Sequence, residues 1–141
     1  MAIEHKHILI NAKIMDPLDT YQAAIDFLDD LVESIGMKKL MGPLAAYVNT
    51  PGNQGVTAIV GIETSHIAFH IWDEEMPARL QFDLYTCSTL SAETVIRNLV
   101  ENFGLHNYVH MVLERSEGFN VVSSDTSVYV ESEFPQDTLP F

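Results

Sequence analysis

One short stretch of the chain, residues 62–72 with the sequence IETSHIAFHIW, concentrates side chains that can move protons. Ser65, His66 and His70 lie within six positions of one another, and the chain's one cysteine, Cys87, ends a later apolar segment. Proteins use such hydroxyl, imidazole and thiol groups as nucleophiles, general bases and general acids. The stretch therefore raises three hypotheses: a metal site, a serine hydrolase, and a serine that cleaves its own backbone.

The first two hypotheses lack the patterns that usually accompany them. The six histidines form three close pairs, which are His5/His7, His66/His70 and His106/His110. No HExxH or CxxC pattern and no carboxylate at a ligand offset goes with them, so we predict hydrogen-bonded or solvated histidines and no metal. A serine hydrolase exposes its serine on a glycine-flanked turn, and Ser65 has no glycine beside it. Both hypotheses are therefore disfavoured.

A self-cleaving serine agrees better with the residue types present. The hydroxyl of Ser65 can attack the carbonyl that precedes it and convert the peptide bond into an ester, and elimination and hydrolysis then leave a pyruvoyl group. A pyruvoyl carbonyl can form a Schiff base with a substrate amine and act as an electron sink. This chemistry needs a histidine for proton transfer and an acid that returns a proton to carbon. The structural alternative is a turn serine, a packed strand histidine and a buried cysteine.

Hydrophobic periodicity indicates the elements that must position these residues. It predicts strands at 7–15, 44–50, 56–63, 66–72, 79–87 and 106–115, with a turn at 51–55. One amphipathic helix is expected after a cap at Asp16 and before Gly36, and a second between Ser91 and Gly104. Residues 1–118 are predicted to form one domain, followed by a tail at 119–141 with a hairpin around SSDT and a disordered end.

Side-chain alternation along the strands separates an apolar sheet face from a polar one. The polar face carries five residues of the two strands at 66–72 and 79–87: His66, His70, Asp83, Tyr85 and Cys87. Ser65 has the parity of the apolar face, so we expect it in a turn whose backbone bends toward His70. The predicted fold is α/β (α+β), a two-layer sandwich of a mostly antiparallel sheet with two helices on one face. The other face is predicted to pair with a second copy.

Composition limits the partners and the location of the protein. The net charge is −13, from 20 acidic against 7 basic residues, so no basic surface for nucleic acid is expected. No apolar run is long enough to span a membrane, and the start lacks an export signal. A single cysteine favours a cytoplasmic location. The acidic surface favours a cationic small-molecule substrate, although solubility alone also explains it.

Four segments of the chain resemble the short prokaryotic S-adenosylmethionine decarboxylases. The family pattern is approximately GVSG…ESHxxxHxWPE…DxxTCG, and the matching segments here are HKHILI, GVTAIVGIETS, SHIAFHIWDE and FDLYTCS. The resemblance extends over residues 5–115, and a serine–histidine pair followed by a second histidine, a tryptophan and a later Thr-Cys is fairly specific.

The resemblance implies a self-cleaving decarboxylase that uses a pyruvoyl group, with no pyridoxal phosphate and no metal. Cleavage between Thr64 and Ser65 would turn Ser65 into the pyruvoyl group, His70 would assist this processing, and Cys87 would be the proton donor to carbon. Contacts with the substrate are implied for three matching residues: His7, Thr57 and Glu74. Because the 50–56 loop lacks an aromatic residue to stack on adenine, we expect Phe69 or Tyr47 in that role. The resemblance also implies a homodimer of cleaved α/β protomers.

Three positions depart from the family pattern and leave alternatives open. Thr64, Asp73 and Ser88 stand where relatives carry Glu, Pro and Gly, which changes the cleavage site and the loops beside it. One alternative is a pyruvoyl-dependent decarboxylase of ornithine or arginine, whose substrates are also cationic. The other is a relative that never cleaves and acts as a regulatory subunit.

Overall fold

The computed structural model of the chain describes residues 4–128. Within them, seven strands and two helices follow one another as β1 (Lys6–Ile14), α1 (Tyr21–Ser34), β2 (Lys39–Val48), β3 (Gly55–Ile62), β4 (Ser65–Trp72), β5 (Ala78–Thr86), α2 (Ala92–Phe103), β6 (Leu105–Glu114) and β7 (Asn120–Val128). The strands form one antiparallel sheet in the order β2-β3-β4-β5-β1-β6-β7. The first strand, β1, therefore lies between β5 and β6, and both of these strands are distant from it in the sequence.

Both helices contribute an apolar stripe to one core against one face of this sheet. Every second residue of β1, β3, β4 and β5 points into that core, as the period of a strand requires. Three aromatic rings meet at its centre, where the Phe69 centroid lies 5.7 Å from that of Phe27 and 5.8 Å from that of Phe103. The predicted α+β architecture, with an antiparallel sheet and two helices, is confirmed.

Several element boundaries differ from the prediction. The hydroxyl of Thr20, and not Asp16, caps α1 by accepting a hydrogen bond from the backbone N–H of Ala23 at 3.1 Å. The cap of α2 at Ser91 and its end at Gly104 are confirmed. The hairpin expected around SSDT is wrong, because these residues lie inside β7, which pairs along β6. The predicted disordered end, residues 129–141, lies outside the described residues.

Within residues 4–128, no helix packs on the second sheet face, and we call this face the open face. His66, Ala68 and His70 of β4 point to it, together with side chains of the neighbouring strands. Large apolar side chains are exposed there as well, among them Leu9, Leu44 and Ile59. In the part of the chain from 4 to 128, neither helix has the length and apolar character that crossing a membrane would require.

Candidate functional site

Ser65 has an unusual backbone conformation at the start of β4. Its φ is 143°, a positive value that residues with a side chain rarely adopt. The reason is local: Ile62 and Ser65 pair across the sheet, so the chain must reverse through Glu63 and Thr64 alone. Such a conformation costs of the order of 1–3 kcal/mol and persists only where its surroundings enforce it. The strain therefore lies at the peptide bond for which cleavage is predicted.

A comparison of Ser65→Gly with Ser65→Ala measures this strain directly. Neither variant has the nucleophile, so both should remain uncut and can be compared as intact chains. Glycine adopts a positive φ without a steric penalty, whereas alanine retains that penalty. We therefore expect the glycine variant to be more stable by about 1 kcal/mol. Equilibrium unfolding in denaturant gives the difference. An alanine variant as stable as the glycine variant would show that Ser65 is unstrained.

The carbonyl group before Ser65 is already polarised by a hydrogen bond. The backbone N–H of Cys87 donates to the carbonyl oxygen of Thr64 at 3.1 Å. Such a donor stabilises the negative charge that develops on this oxygen when a nucleophile attacks the carbonyl carbon. The hydroxyl of Thr86, which is buried, also donates to the hydroxyl of Thr64 at 2.8 Å. The end of β5 thus holds the turn before Ser65 in place.

Next to Ser65, two histidines share one carboxylate on the open face. His7 and His66 flank Tyr85 from the two strands beside β5, and Asp83 lies two residues earlier on that strand. The Oδ2 atom of Asp83 is 2.8 Å from Nε2 of His7 and 3.2 Å from Nε2 of His66. Burial raises the pKa of Asp83, but the hydrogen bonds and charges of His7 and then His66 outweigh it, so the pKa lies below its usual value. The carboxylate is therefore ionised at neutral pH.

Arg115 fixes the position of a proton in this group. Its Nη1 atom lies 3.0 Å from Nδ1 of His7, and its guanidinium lies 4.2 Å from the centre of the Tyr85 ring. Because a guanidinium only donates, Nδ1 of His7 must accept, and the proton of the neutral ring is on Nε2, facing Asp83.

The same proton bears on the metal hypothesis. The ligand-type atoms of His7, His66 and Asp83 lie within 4.8 Å of one another, which is close enough to surround an ion. However, a metal would have to bind Nε2 of His7, where the contact with Arg115 places the proton. The ring would then need a proton on Nδ1, which would face a donor. The geometry favours a hydrogen-bonded network over a metal centre.

His70 lies at the other end of β4 from Ser65. The strand is regular between them, and His70 pairs with Thr57 on one side and Gln81 on the other. Five steps along a strand of about 3.3 Å each separate the two residues by about 17 Å. The predicted bend of the backbone toward His70 is therefore wrong. His70 instead has its Nδ1 atom 3.0 Å from Oγ1 of Thr57, and its ring stacks on Trp72.

Glu74 holds the 51–55 turn over this far end of β4. Its carboxylate accepts hydrogen bonds from the backbone N–H groups of Gly52 and Gln54 at 2.9 and 3.0 Å. The bond from Gln54 and then that from Gly52 lower the pKa of Glu74. The neighbouring Asp73 accepts a hydrogen bond from the Tyr47 hydroxyl at 2.8 Å, which raises the pKa of Tyr47. Both acids thus shape the loop beside His70.

Phe69 does not take the predicted role of a contact for adenine. Its side chain is 0% exposed and belongs to the core on the helix side of the sheet. Its parity, shared with Ile67 and Ile71, is the signal that indicates this. Tyr47 is only partly buried and lies at the loop, so it remains the aromatic candidate of the two.

The predicted site residues thus form two groups at opposite ends of β4. The first, which we call the cleavage end, contains Thr64, Ser65, Cys87 and His7, together with His66 and Asp83 of the polar face. Thr86 and Arg115, which the sequence did not single out, also lie there. The second, which we call the loop end, contains Thr57, His70 and Glu74. A cavity of about 390 Å³ opens at the cleavage end, where Ser65 and His66 meet the apolar Met41, Leu44 and Ile59. A smaller cavity of about 300 Å³ at the loop end is lined by Thr57, His70 and Trp72, among others.

Comparison with known proteins identifies the family of the chain. A family model described as S-adenosylmethionine decarboxylase matches residues 6–116. A relative from Archaeoglobus fulgidus, named S-adenosylmethionine decarboxylase proenzyme, is 27% identical over 111 residues, which are 78% of this chain and 96% of the relative. The family-model match includes both ends of β4 and every strand from β1 to β6.

Proposed function

Since the chain belongs to the S-adenosylmethionine decarboxylase family, we propose that it cleaves itself between Thr64 and Ser65 and then decarboxylates S-adenosylmethionine. The observation that carries the proposal is the geometry of this peptide bond, where a strained serine follows a carbonyl that accepts a hydrogen bond from Cys87. The product would supply aminopropyl groups for spermidine synthesis. The single cysteine favours the cytoplasm as the place of this reaction.

Self-cleavage would begin when Oγ of Ser65 attacks the carbonyl carbon of Thr64. The C–N bond then breaks and leaves an ester. Removal of the Cα proton of Ser65 expels the Thr64 carboxylate, and hydrolysis of the remaining dehydroalanine releases ammonia. The residues present fit this route, because the N–H of Cys87 stabilises the attacked oxygen and bond breakage relieves the strain at Ser65. The pyruvoyl group formed from Ser65 would supply a carbonyl for the substrate amine and an electron sink for the loss of carbon dioxide.

Cys87 is the proposed proton donor for the carbon that loses its carboxylate. It is partly buried and is the chain's one cysteine, so no internal disulfide removes its thiol. Its backbone N–H donates a hydrogen bond to the carbonyl oxygen of Thr64. Cys87 therefore lies close to Ser65, the residue that would become the pyruvoyl group. A thiol at this position can return a proton to substrate carbon after decarboxylation.

A homodimer would bring His70 to the cleavage site. In a two-fold symmetric dimer the same surface meets itself, so the cleavage end of one protomer can face the loop end of the other. The exposed Leu9, Leu44 and Ile59 on the open face support such a contact, since exposed apolar patches often mark interfaces. We therefore assign His70, Thr57 and Glu74 of one protomer to the active site that contains Ser65 of the other.

Replacing Thr86 with valine should slow self-cleavage about tenfold. The change keeps the shape of a buried side chain but removes the hydroxyl that holds Thr64, a loss of about 1.4 kcal/mol of positioning. Thr86→Ser, which keeps the hydroxyl, should cleave at the parental rate. Cell-free synthesis followed by denaturing gels measures both rates. Equal rates for the valine and serine variants would contradict a role for this hydrogen bond.

The substrate is tested by release of labelled carbon dioxide from the carboxyl groups of S-adenosylmethionine, ornithine and arginine. We expect release from S-adenosylmethionine alone, because the apolar lining of the larger cavity suits a nucleoside better than a short polar side chain. Release from ornithine or arginine alone would replace the substrate and keep the chemistry. An uncut chain that releases none would indicate a non-cleaving regulatory relative.

A further inference from the structure

We infer that His66 is the base that takes the hydroxyl proton of Ser65 in the first step of self-cleavage. This inference rests on the proposed function and adds to it a residue that neither the family pattern nor the position of His70 assigns to this step. Cleavage needs two proton transfers at residue 65, one from Oγ during attack and one from Cα during elimination. Two different bases can therefore carry out these two proton transfers.

The hydrogen bonds around Asp83 leave one nitrogen of His66 ready to accept a proton. Nε2 of His66 lies 3.2 Å from Oδ2 of Asp83, and an ionised carboxylate accepts only, so the proton of the neutral ring is on Nε2. Nδ1 of His66 is then a bare acceptor. His7 gives its own Nε2 proton to the same oxygen, while Arg115 occupies its Nδ1. Within the described part of the chain, His66 is thus the histidine on Asp83 that has an available lone pair.

The location of His66 suits this task. It follows Ser65 directly in the chain, and both residues line the cavity of about 390 Å³ on the open face. The side chain of His66 is 39% exposed, whereas that of His7 is 15% exposed. Among the described residues, the charged and titratable groups that face His66 are Asp83, His7 and Tyr85, with Arg115 behind His7. By contrast, His70 of the same chain is about 17 Å from Ser65 along the strand.

The step balances without any further reagent. As Oγ of Ser65 bonds to the carbonyl carbon of Thr64, its proton moves to Nδ1 of His66, and Asp83 stabilises the imidazolium that forms. The C–N bond then breaks, and His66 returns the proton to the departing nitrogen of Ser65. The products are an ester and a free amine. His66 is neutral again, and removal of the Cα proton is left to His70 of the second copy.

The test compares His66→Ala with His70→Ala in the full-length protein. Hydroxylamine cuts esters and leaves ordinary peptide bonds intact, so it reports whether the first step has occurred. We expect His66→Ala to form the ester about 10²–10⁴-fold more slowly than the parent, and added imidazole to restore part of the rate. The His70→Ala chain should accumulate an ester that hydroxylamine cuts at residue 64. His66→Gln, which retains a polar side chain, guards against misfolding of the alanine variant, and His5→Ala is the matched control on the same face.

The possible results separate a failure of the role of His66 from a failure of the proposed function. A parent chain that cleaves together with a His66→Ala chain that cleaves equally fast would overturn the role of His66 and leave the proposed function standing. The role of His66 would also be overturned, with the proposed function left standing, if folded His66→Ala and His66→Gln chains both accumulate an ester that hydroxylamine cuts. A parent chain that forms neither ester nor fragments would overturn the proposed function, and the role of His66 with it.

Discussion

A Ser65→Ala variant is expected to remain one intact chain and to release no carbon dioxide from S-adenosylmethionine above background. The loss is complete rather than partial, because the variant lacks both the nucleophile for self-cleavage and the atoms from which the pyruvoyl group forms. No neighbouring serine can substitute, since the polarised carbonyl belongs to Thr64 and the strained conformation to residue 65. Denatured mass and labelled carbon dioxide release measure the two losses separately.

Ser88→Ala is the matched control for this experiment. Ser88 lies beyond the same end of β5, and its backbone N–H, not its hydroxyl, bonds to Thr86. The control should therefore cleave and turn over like the parent. Cleavage of the Ser65→Ala chain at the same peptide bond, or decarboxylation by the uncut variant, would refute the assignment of Ser65.

Mixing two inactive variants should restore self-cleavage if His70 acts across a dimer. His70→Ala chains alone should stay uncut, since they lack the base for elimination. When they pair with Ser65→Ala chains, one site of each mixed dimer combines an intact Ser65 with an intact His70. The His70→Ala chain should then be the one that is cut. The physical reason is the distance of about 17 Å between Ser65 and His70 along one regular strand.

Different affinity tags on the two chains identify which one is cleaved after co-expression. The corresponding mixture of His66→Ala with Ser65→Ala provides a contrast, because a base that acts within its own chain cannot be supplied by a partner. No cleavage in the His70→Ala mixture would mean that His70 serves its own chain or another purpose. Cleavage of His70→Ala chains without a partner would remove His70 from the mechanism.

Local sequence signals predicted the elements and one sheet face well. Alternation along 66–72 separated His66 and His70 from Phe69, and this separation is what the sheet shows. The same alternation should have removed Phe69 from the candidate ligand contacts, since it placed that ring with Ile67 and Ile71. The sequence does not identify the cap of α1, because Asp16 and Thr20 are both good capping residues and periodicity alone fixes helix ends poorly.

The parts of the site that the sequence did not predict depend on long-range pairing. His7 reaches Asp83 only because β1 lies beside β5, an arrangement between strands that are distant in the chain. Arg115 contacts His7 because it directly follows β6, which lies on the other side of β1. The strain at Ser65 is likewise a property of the two-residue reversal before β4, and no residue type signals it. Local patterns therefore predict which side chains are reactive, while the sheet order decides which of them meet.

The mass of the purified parent protein under denaturing conditions tests the central claim most directly. The account predicts two chains divided between Thr64 and Ser65, of which the second has no free amino terminus because its first residue carries a pyruvoyl group. A single chain of 141 residues with an unmodified Ser65 would contradict it.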